Sequence, residues 1–381
     1  MTKNIDINGH CDQNFLAVKD VFTSNLESGS DVGASFAATI NGEYVVDIWG
    51  GYSDVAQTTP WEQNTITNVY STVKVMTTLC ALILIDRGQL DIDSPVADYW
   101  PEFAQAGKDK IIVRWLLSHS AGLPGFNAPL SLEAMYDWNG IIQILERQEP
   151  WWEPGTRSSY HMVTFGYLVG ELVRRISGKS IGTFFRDEVA IPLRADFHIG
   201  LAQEHDARVA ELIPPPQMPP PPIESDSIIG KILFNTPIIP AYSDRTWRAA
   251  EIPSSNGHGN ARSAVRVGSL LACGGELDGM RILSRDTINC AIEEQFNDID
   301  PVMGAPIRWG LGFGLANEKL PYLNPRAFYW AGFGGSWLEM DPDAKMCFSY
   351  VMNKLEVHPD GDNNRMIALR NALFSAIQKM T

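Results

Sequence analysis

The stretch 73–85, Val-Lys-Val-Met-Thr-Thr-Leu-Cys-Ala-Leu-Ile-Leu-Ile, is apolar on nearly all sides. A helix with no polar face belongs in an interior. It is too short to cross a bilayer, which takes about 20 residues. The chain must therefore wrap other elements around a central buried helix. Asp86-Arg87-Gly88 stops it, with Gly88 as the C′ residue. Lys74 stands in its first turn, and burying an unpaired ammonium is costly. Ser71 lies three residues earlier, on the same side and one turn away. A Ser hydroxyl needs a base in hydrogen-bond reach to act as a nucleophile. A Lys in apolar surroundings loses its charge readily and can be that base. A helix start adds unpaired N–H groups and positive dipole character beside the Ser oxygen. About one Ser-x-x-Lys is expected by chance in a chain of this length, so the setting carries more weight than the motif.

The 381 residues are 45% hydrophobic, enough for a large core and for two or three domains or one domain with insertions. The formal net charge is −15, spread without long runs of one sign. That balance argues against nucleic acid or an anionic membrane as partner and serves solubility. Residues 1–6 hold no apolar h-region, so no secretory signal is expected. Cys11, Cys80, Cys273, Cys290 and Cys347 are scattered and form no C-x-x-C. Free thiols in a reducing cytoplasm are the expectation, with Cys80 and Cys347 as small core residues.

Residues 14–26 read as a helix. Segments 34–40 and 43–49 flank Asn41-Gly42, the strongest short hairpin signal. A second hairpin is predicted from 336–340 and 346–352 around Asp341-Pro342-Asp343-Ala344. Residues 365–379 close the chain as an amphipathic helix. Between these ends lie helical segments 113–118, 131–147 and 162–176. The order suggests an α+β fold with a helical insertion. The division expected is 1–70 with 255–381 for the sheet region, 71–212 for the helical region, and 213–254 for a Pro-rich, loop-rich flap. Seven prolines in 214–222 exclude regular helix or central strand there. The flap is either a plain linker or one wall of a pocket.

Acyl transfer by Ser71 also needs a proton relay and donors for an oxyanion. Tyr160 is the relay candidate: it follows a turn-rich approach and precedes a helix. A cation beside it would lower its pKa. Trp330-Ala331-Gly332-Phe333-Gly334-Gly335-Ser336 enters the last hairpin, and glycines in a strand mark close backbone approach. His119 is a lesser candidate for general base, and His161 for a pocket wall. No G-x-S-x-G occurs, which weighs against an α/β-hydrolase elbow.

Together these segments resemble the serine β-lactamase and penicillin-binding-protein superfamily, and within it the β-lactamase-like carboxylesterases of family VIII. Ser71-x-x-Lys74 matches the first motif, Tyr160-His161-Met162 the second, and Trp330-Ala331-Gly332 the third. The stretches 116–123, 259–263 and 309–314 resemble further landmarks, and the match runs over about 32–353. The resemblance implies an antiparallel β-sheet flanked by N- and C-terminal helices plus an all-helical region, with the active site between them. It implies Ser71 as nucleophile, Lys74 and Tyr160 as coupled base and acid, and the backbone N–H groups of Ser71 and Phe333 as oxyanion hole. It implies no metal and no organic cofactor.

Two positions depart from the β-lactamase pattern. Trp330 stands where a Lys would pair with a substrate carboxylate, and an indole offers apolar surface and one donor. Met162 stands where an Asn would bond a substrate amide. Both favour neutral, apolar acyl esters. The expected function is a carboxylesterase acting on small-molecule esters of short to medium acyl chain through an acyl-enzyme on Ser71. Trp330, Gly332, His161, Met162 and Trp152 are the substrate-binding candidates, with Trp151, Phe333 and Trp337 as further aromatic ones. A β-lactamase or D-amino-acid peptidase, an acyltransferase, and an inactive scaffold are the alternatives.

Overall fold

A computed structural model describes residues 5–215, 223–237, 244–318, 322–357 and 364–380. Its main element is a nine-stranded antiparallel sheet. From edge to edge the strands are Ile7–Cys11, Glu43–Gly51, Gly33–Ile40, Met346–Met352, Trp337–Asp341, Phe328–Ala331, Gly314–Leu315, Ala305–Trp309 and Phe296–Asp300. The N- and C-terminal parts of the chain meet mid-sheet, with Ala34 facing Met352 and Ile40 facing Met346. Both expected hairpins form. Asn41 and Gly42 have φ of +52° and +84°, the two positive values that a type I′ loop requires.

The sheet is covered on both faces, and for that reason Met346–Met352 is buried at every position. One set of alternate residues, Phe36, Phe348, Tyr350 and Met352, packs with Phe22, Leu369 and Leu373 of the terminal helices Leu16–Glu27 and Asn364–Gln378. The opposite set, Ala37, Leu338, Met340, Cys347 and Val351, packs on helix Ala261–Ala272 and continues into the helical region. The apolar run is that region's centre: helix Lys74–Asp86 is buried from Lys74 to Leu84 and ends at Gly88, whose φ is +66°. All five cysteines are free, with Cys80 and Cys347 buried. A small sheet of Thr67–Asn68, Gly257–Gly259 and His198–Ile199, in that order, takes one strand from each side of the expected boundaries at 71 and 212.

One local expectation is corrected. Segment 131–147 is two helices, Leu132–Tyr136 and Trp138–Arg147, because Asp137 leaves helical space at ψ 91° and caps the second through the Gly140 amide. Within 213–254 lie two short helices, Ile228–Asn235 and Arg245–Ala249, each opened by a side-chain cap, Ser227 and Asp244. The prolines at 216–222 lie outside the described residues. Ser71 stands in a 3-10 turn, Tyr70–Val73, that leads into the core helix. Among the described residues no helix is long and apolar enough to cross a membrane.

Candidate active site

The Ser71 turn is clamped from two sides. Val69 donates its amide to the Gly257 carbonyl at 2.9 Å, and Asn68 Oδ1 accepts the Tyr70 amide at 3.0 Å. From the other side Ser336 Oγ donates to the Val69 carbonyl at 2.7 Å and lies 2.9 Å from Thr72 Oγ1. Gly332, at the end of strand Phe328–Ala331, closes against the same carbonyl. A Cβ there would sit 2.1 Å from the Val69 oxygen, so only glycine fits. Between the clamps Tyr70 has φ +45°, a left-handed conformation costing about 1–3 kcal/mol in a non-glycine residue. Its ring meets Phe333 edge-on at 5.5 Å, which brings the third segment to the Ser71 turn.

Lys74 opens the core helix and is 1% exposed. Its Nζ lies 3.2 Å from Ser71 Oγ and donates to the carbonyls of Met162 at 2.7 Å and Ser254 at 2.9 Å. Among the described residues no carboxylate pairs with it. Burial holds its pKa well below the ordinary lysine value. Nζ donates to Ser71 Oγ as well, so all three of its contacts are to oxygen atoms.

Tyr160 completes the convergence. Lys74 Nζ stands 4.8 Å from its ring centroid, and Ser71 hydrogen-bonds its phenol. The Trp330 indole N–H donates to Tyr160 Oη at 3.3 Å, and the Trp309 ring lies nearly parallel to Tyr160 at 6.0 Å. The pKa of Tyr160 is raised by burial, against the hydrogen bonds from Ser71 and Trp330, and not lowered. The lowering expected from a neighbouring cation is outweighed by burial of the phenol itself. Tyr160 is thus a phenol at neutral pH, beside an amine whose pKa burial holds low.

Tyr160 lies in irregular backbone, so its neighbours' amides need partners from elsewhere. Ser159 donates to the His119 carbonyl at 2.9 Å, Tyr160 to Asp300 Oδ2 at 2.7 Å, and His161 to His119 Nδ1 at 3.1 Å. The His161 ring is spent in the same way: Nδ1 donates to the Ser159 carbonyl at 2.7 Å and Nε2 accepts the Leu123 amide at 3.1 Å. Burial lowers the pKa of His161 to about 4 and that of His119 well below its usual value, so both are neutral. His119 acts as a backbone holder with φ +59°, and no bond from it to Ser71 is found among the described residues. Asp300 was not signalled by any motif. Its one sequence cue is the dipeptide Asp300-Pro301, a common turn start.

The other candidates take varied places. Met162 contributes its carbonyl to Lys74 rather than its side chain. Trp330 is 4% exposed and spends its N–H on Tyr160. Trp152 is half-buried under Arg157, whose guanidinium sits 4.7 Å from its ring. Trp151 donates to Asn127 Oδ1 at 2.5 Å. Phe333 remains 37% exposed at the site. Trp337 stacks on Tyr329 at 4.7 Å and packs in the terminal-helix core. No group of three or more His, Cys, Asp or Glu among the described residues is placed to hold a metal ion.

An antiparallel sheet with both terminal helices on one face, and on the other a helical region whose core helix starts at Lys74 just after the Ser71 turn, defines a β-lactamase-like fold. The family model described as Beta-lactamase matches residues 18–372, and the chain belongs to that family. The chain is 30% identical to "Esterase/beta-lactamase LipL" of Mycobacterium tuberculosis over 91% of its own length and 83% of the relative's. Among solved structures it is similar to a family VIII carboxylesterase, at 39% identity and TM-score 0.91, covering 97% of this chain and 100% of that one. It is similar too to a penicillin-binding-protein homologue from Caulobacter crescentus, at 37% identity and TM-score 0.91 with the same coverage.

Proposed function

We propose that the protein is a serine carboxylesterase that cleaves small, neutral esters of short to medium acyl chain through an acyl-enzyme on Ser71. The observation that carries this is a buried Lys74 Nζ, its pKa held low by burial, 3.2 Å from Ser71 Oγ. Lys74 takes the Ser71 proton as Oγ bonds to the ester carbonyl carbon. The oxyanion is received by the N–H groups of Ser71 and Phe333. Ser71 sits in the first turn of its 3-10 segment, where amides lack helical partners, and Phe333 N–H has no partner among the described residues. Tyr160 gives its proton to the departing alkoxide and regains one from the Lys74 ammonium. Water then repeats the sequence and frees the acid. Because Lys74 and Tyr160 share the proton, their titration belongs to the pair.

Trp330 favours esters over anionic β-lactams. Its indole occupies the place of a carboxylate-binding cation and is committed to Tyr160. The names of the similar proteins include both activities, so the test must set one against the other. p-Nitrophenyl acetate, butyrate and octanoate are run beside a chromogenic cephalosporin, on the native enzyme and on Ser71→Ala. The expected result is the highest kcat/KM on acetate or butyrate, with the cephalosporin turned over at least about 100-fold less efficiently, a difference of ~2.7 kcal/mol in transition-state binding. A cephalosporin that outruns every ester would replace this function by the β-lactamase one. Ester turnover undiminished in Ser71→Ala would remove both.

A further inference from the structure

Hairpin Phe296–Asp300 and Ala305–Trp309 ends the sheet beside Tyr160. It reaches the tyrosine twice. The Trp309 ring lies nearly parallel to the phenol, and Asp300 holds the Tyr160 amide. The Asp300 side chain is 1% exposed and meets only donors. Oδ2 accepts from Tyr160 at 2.7 Å, and Oδ1 accepts from Val302 at 2.9 Å and Met303 at 3.1 Å. No cation pairs with it among the described residues. A protonated carboxyl would need an acceptor for its O–H, and none of these partners supplies one. The group is therefore a carboxylate held by three backbone amides and by a hydrogen bond from the Trp309 side chain. Burial raises its pKa, and these hydrogen bonds act against that rise.

We infer that Asp300 is a positioning residue of the reaction, holding the main chain of Tyr160 in place and setting a fixed negative charge behind the phenol. This rests on the Ser71, Lys74 and Tyr160 roles proposed above. The mechanical part follows from sequence distance. Tyr160 has no strand or helix to fix its backbone, and Asp300, far along the chain, ties it to the sheet. A displacement of about 1 Å in a reacting group costs on the order of 100-fold in rate. The electrostatic part follows from sign. A nearby anion raises the pKa of every neighbouring group, amine and phenol alike.

The test uses the full chain and p-nitrophenyl butyrate. Asp300→Asn keeps the shape, removes the charge and turns a donor toward at least one of the three amides. Its kcat is expected to fall about 10- to 100-fold, with KM changed less than kcat. The basic limb of the kcat pH profile should move to lower pH, because the anion that raised the Tyr160 pKa is gone. In a Tyr160→Phe background the same substitution should add little, since a group acting through the tyrosine has nothing left to act on. An unchanged pH profile, a kcat within about twofold of native, or a full additional loss in the Tyr160→Phe background would overturn the inference. If Asp300→Asn does not fold, Asp300→Ser, smaller and still an acceptor, is read by the same measurements. Loss of fold in both would make Asp300 purely structural and overturn the inference as well. A native enzyme without esterase activity would instead fail the function proposed above, so the two failures are separable.

Discussion

The Ser71 side and the Tyr160 side of the site are held by different means. On the Ser71 side nucleophile and base are three residues apart, in one turn feeding one buried helix. Regular structure fixes them: a sheet bond from Val69 to Gly257 and the hairpin entry at Gly332 and Ser336. On the Tyr160 side the residue stands in irregular backbone. Three successive amides are held by His119 and Asp300, which lie far off in the chain. One side is covalently compact, the other is assembled by tertiary folding. Such a site can lose its acid without losing its nucleophile, and the following experiments press on that difference.

The largest effect belongs to the compact side. Ser71→Ala should lower kcat/KM for p-nitrophenyl butyrate at least about a thousand-fold, or ~4 kcal/mol. Its thermal midpoint should stay near native, since among the described residues Ser71 Oγ hydrogen-bonds Lys74 and Tyr160 and supports no clamp of the turn. A melting change as large as the activity loss would show that the turn depends on its nucleophile and would break the comparison.

The same division governs what could be read from the sequence. Ser71 and Lys74 were legible because their chemistry depends on spacing along one helix, and the apolar run around them marks the helix as core. The Asn41-Gly42 hairpin was legible because a two-residue loop states its own backbone geometry. Tyr160 was singled out by its turn-rich approach and the helix after it, a weak local cue that resemblance to a motif then reinforced. Asp300 was not found, because its role is to accept main-chain amides from a segment distant in sequence, and no local pattern encodes that. Its charge is also what misleads: a lone Asp before Pro reads as a turn. The raised pKa of Tyr160 was illegible for a related reason. It depends on how deeply the phenol is buried, and burial is a property of the folded whole. Asp137 split a helix for a local reason, its side chain being a better cap than a helix interior residue.

A second experiment separates the two sides by acid. Folded His161 stays neutral down to about pH 4, whereas in the unfolded chain it takes a proton near 6.5. Between those values the unfolded state binds more protons, so stability falls as pH falls through that window and levels off below it. The shift corresponds to about 3 kcal/mol, and His119, also lowered, adds in the same direction. Both histidines hold the Tyr160 segment, so amide hydrogen exchange at pH 4.5 should rise first in 158–163 and later in 68–75. His161→Asn should flatten the loss of melting temperature between pH 7 and 4.5. Equal loss of protection in both segments would show that the two sides open as one unit.

The smallest effect is the most discriminating. Trp330 donates its indole N–H to Tyr160 Oη while packing between Trp309, at 4.8 Å, and the tyrosine ring, at 5.0 Å. Trp330→Phe keeps the aromatic packing and deletes the donor. One neutral hydrogen bond is worth about 0.5–1.5 kcal/mol, so kcat should fall roughly 2- to 12-fold. A donor to the phenol favours its ionised form, so losing it raises the tyrosine pKa and should move the basic limb of the pH profile upward. Asp300→Asn should move the same limb downward, because it removes an anion rather than a donor. Opposite shifts from two residues that both touch Tyr160 would place the titration on the tyrosine itself. Shifts of the same sign would place the basic limb elsewhere and leave Tyr160 without its role as proton donor.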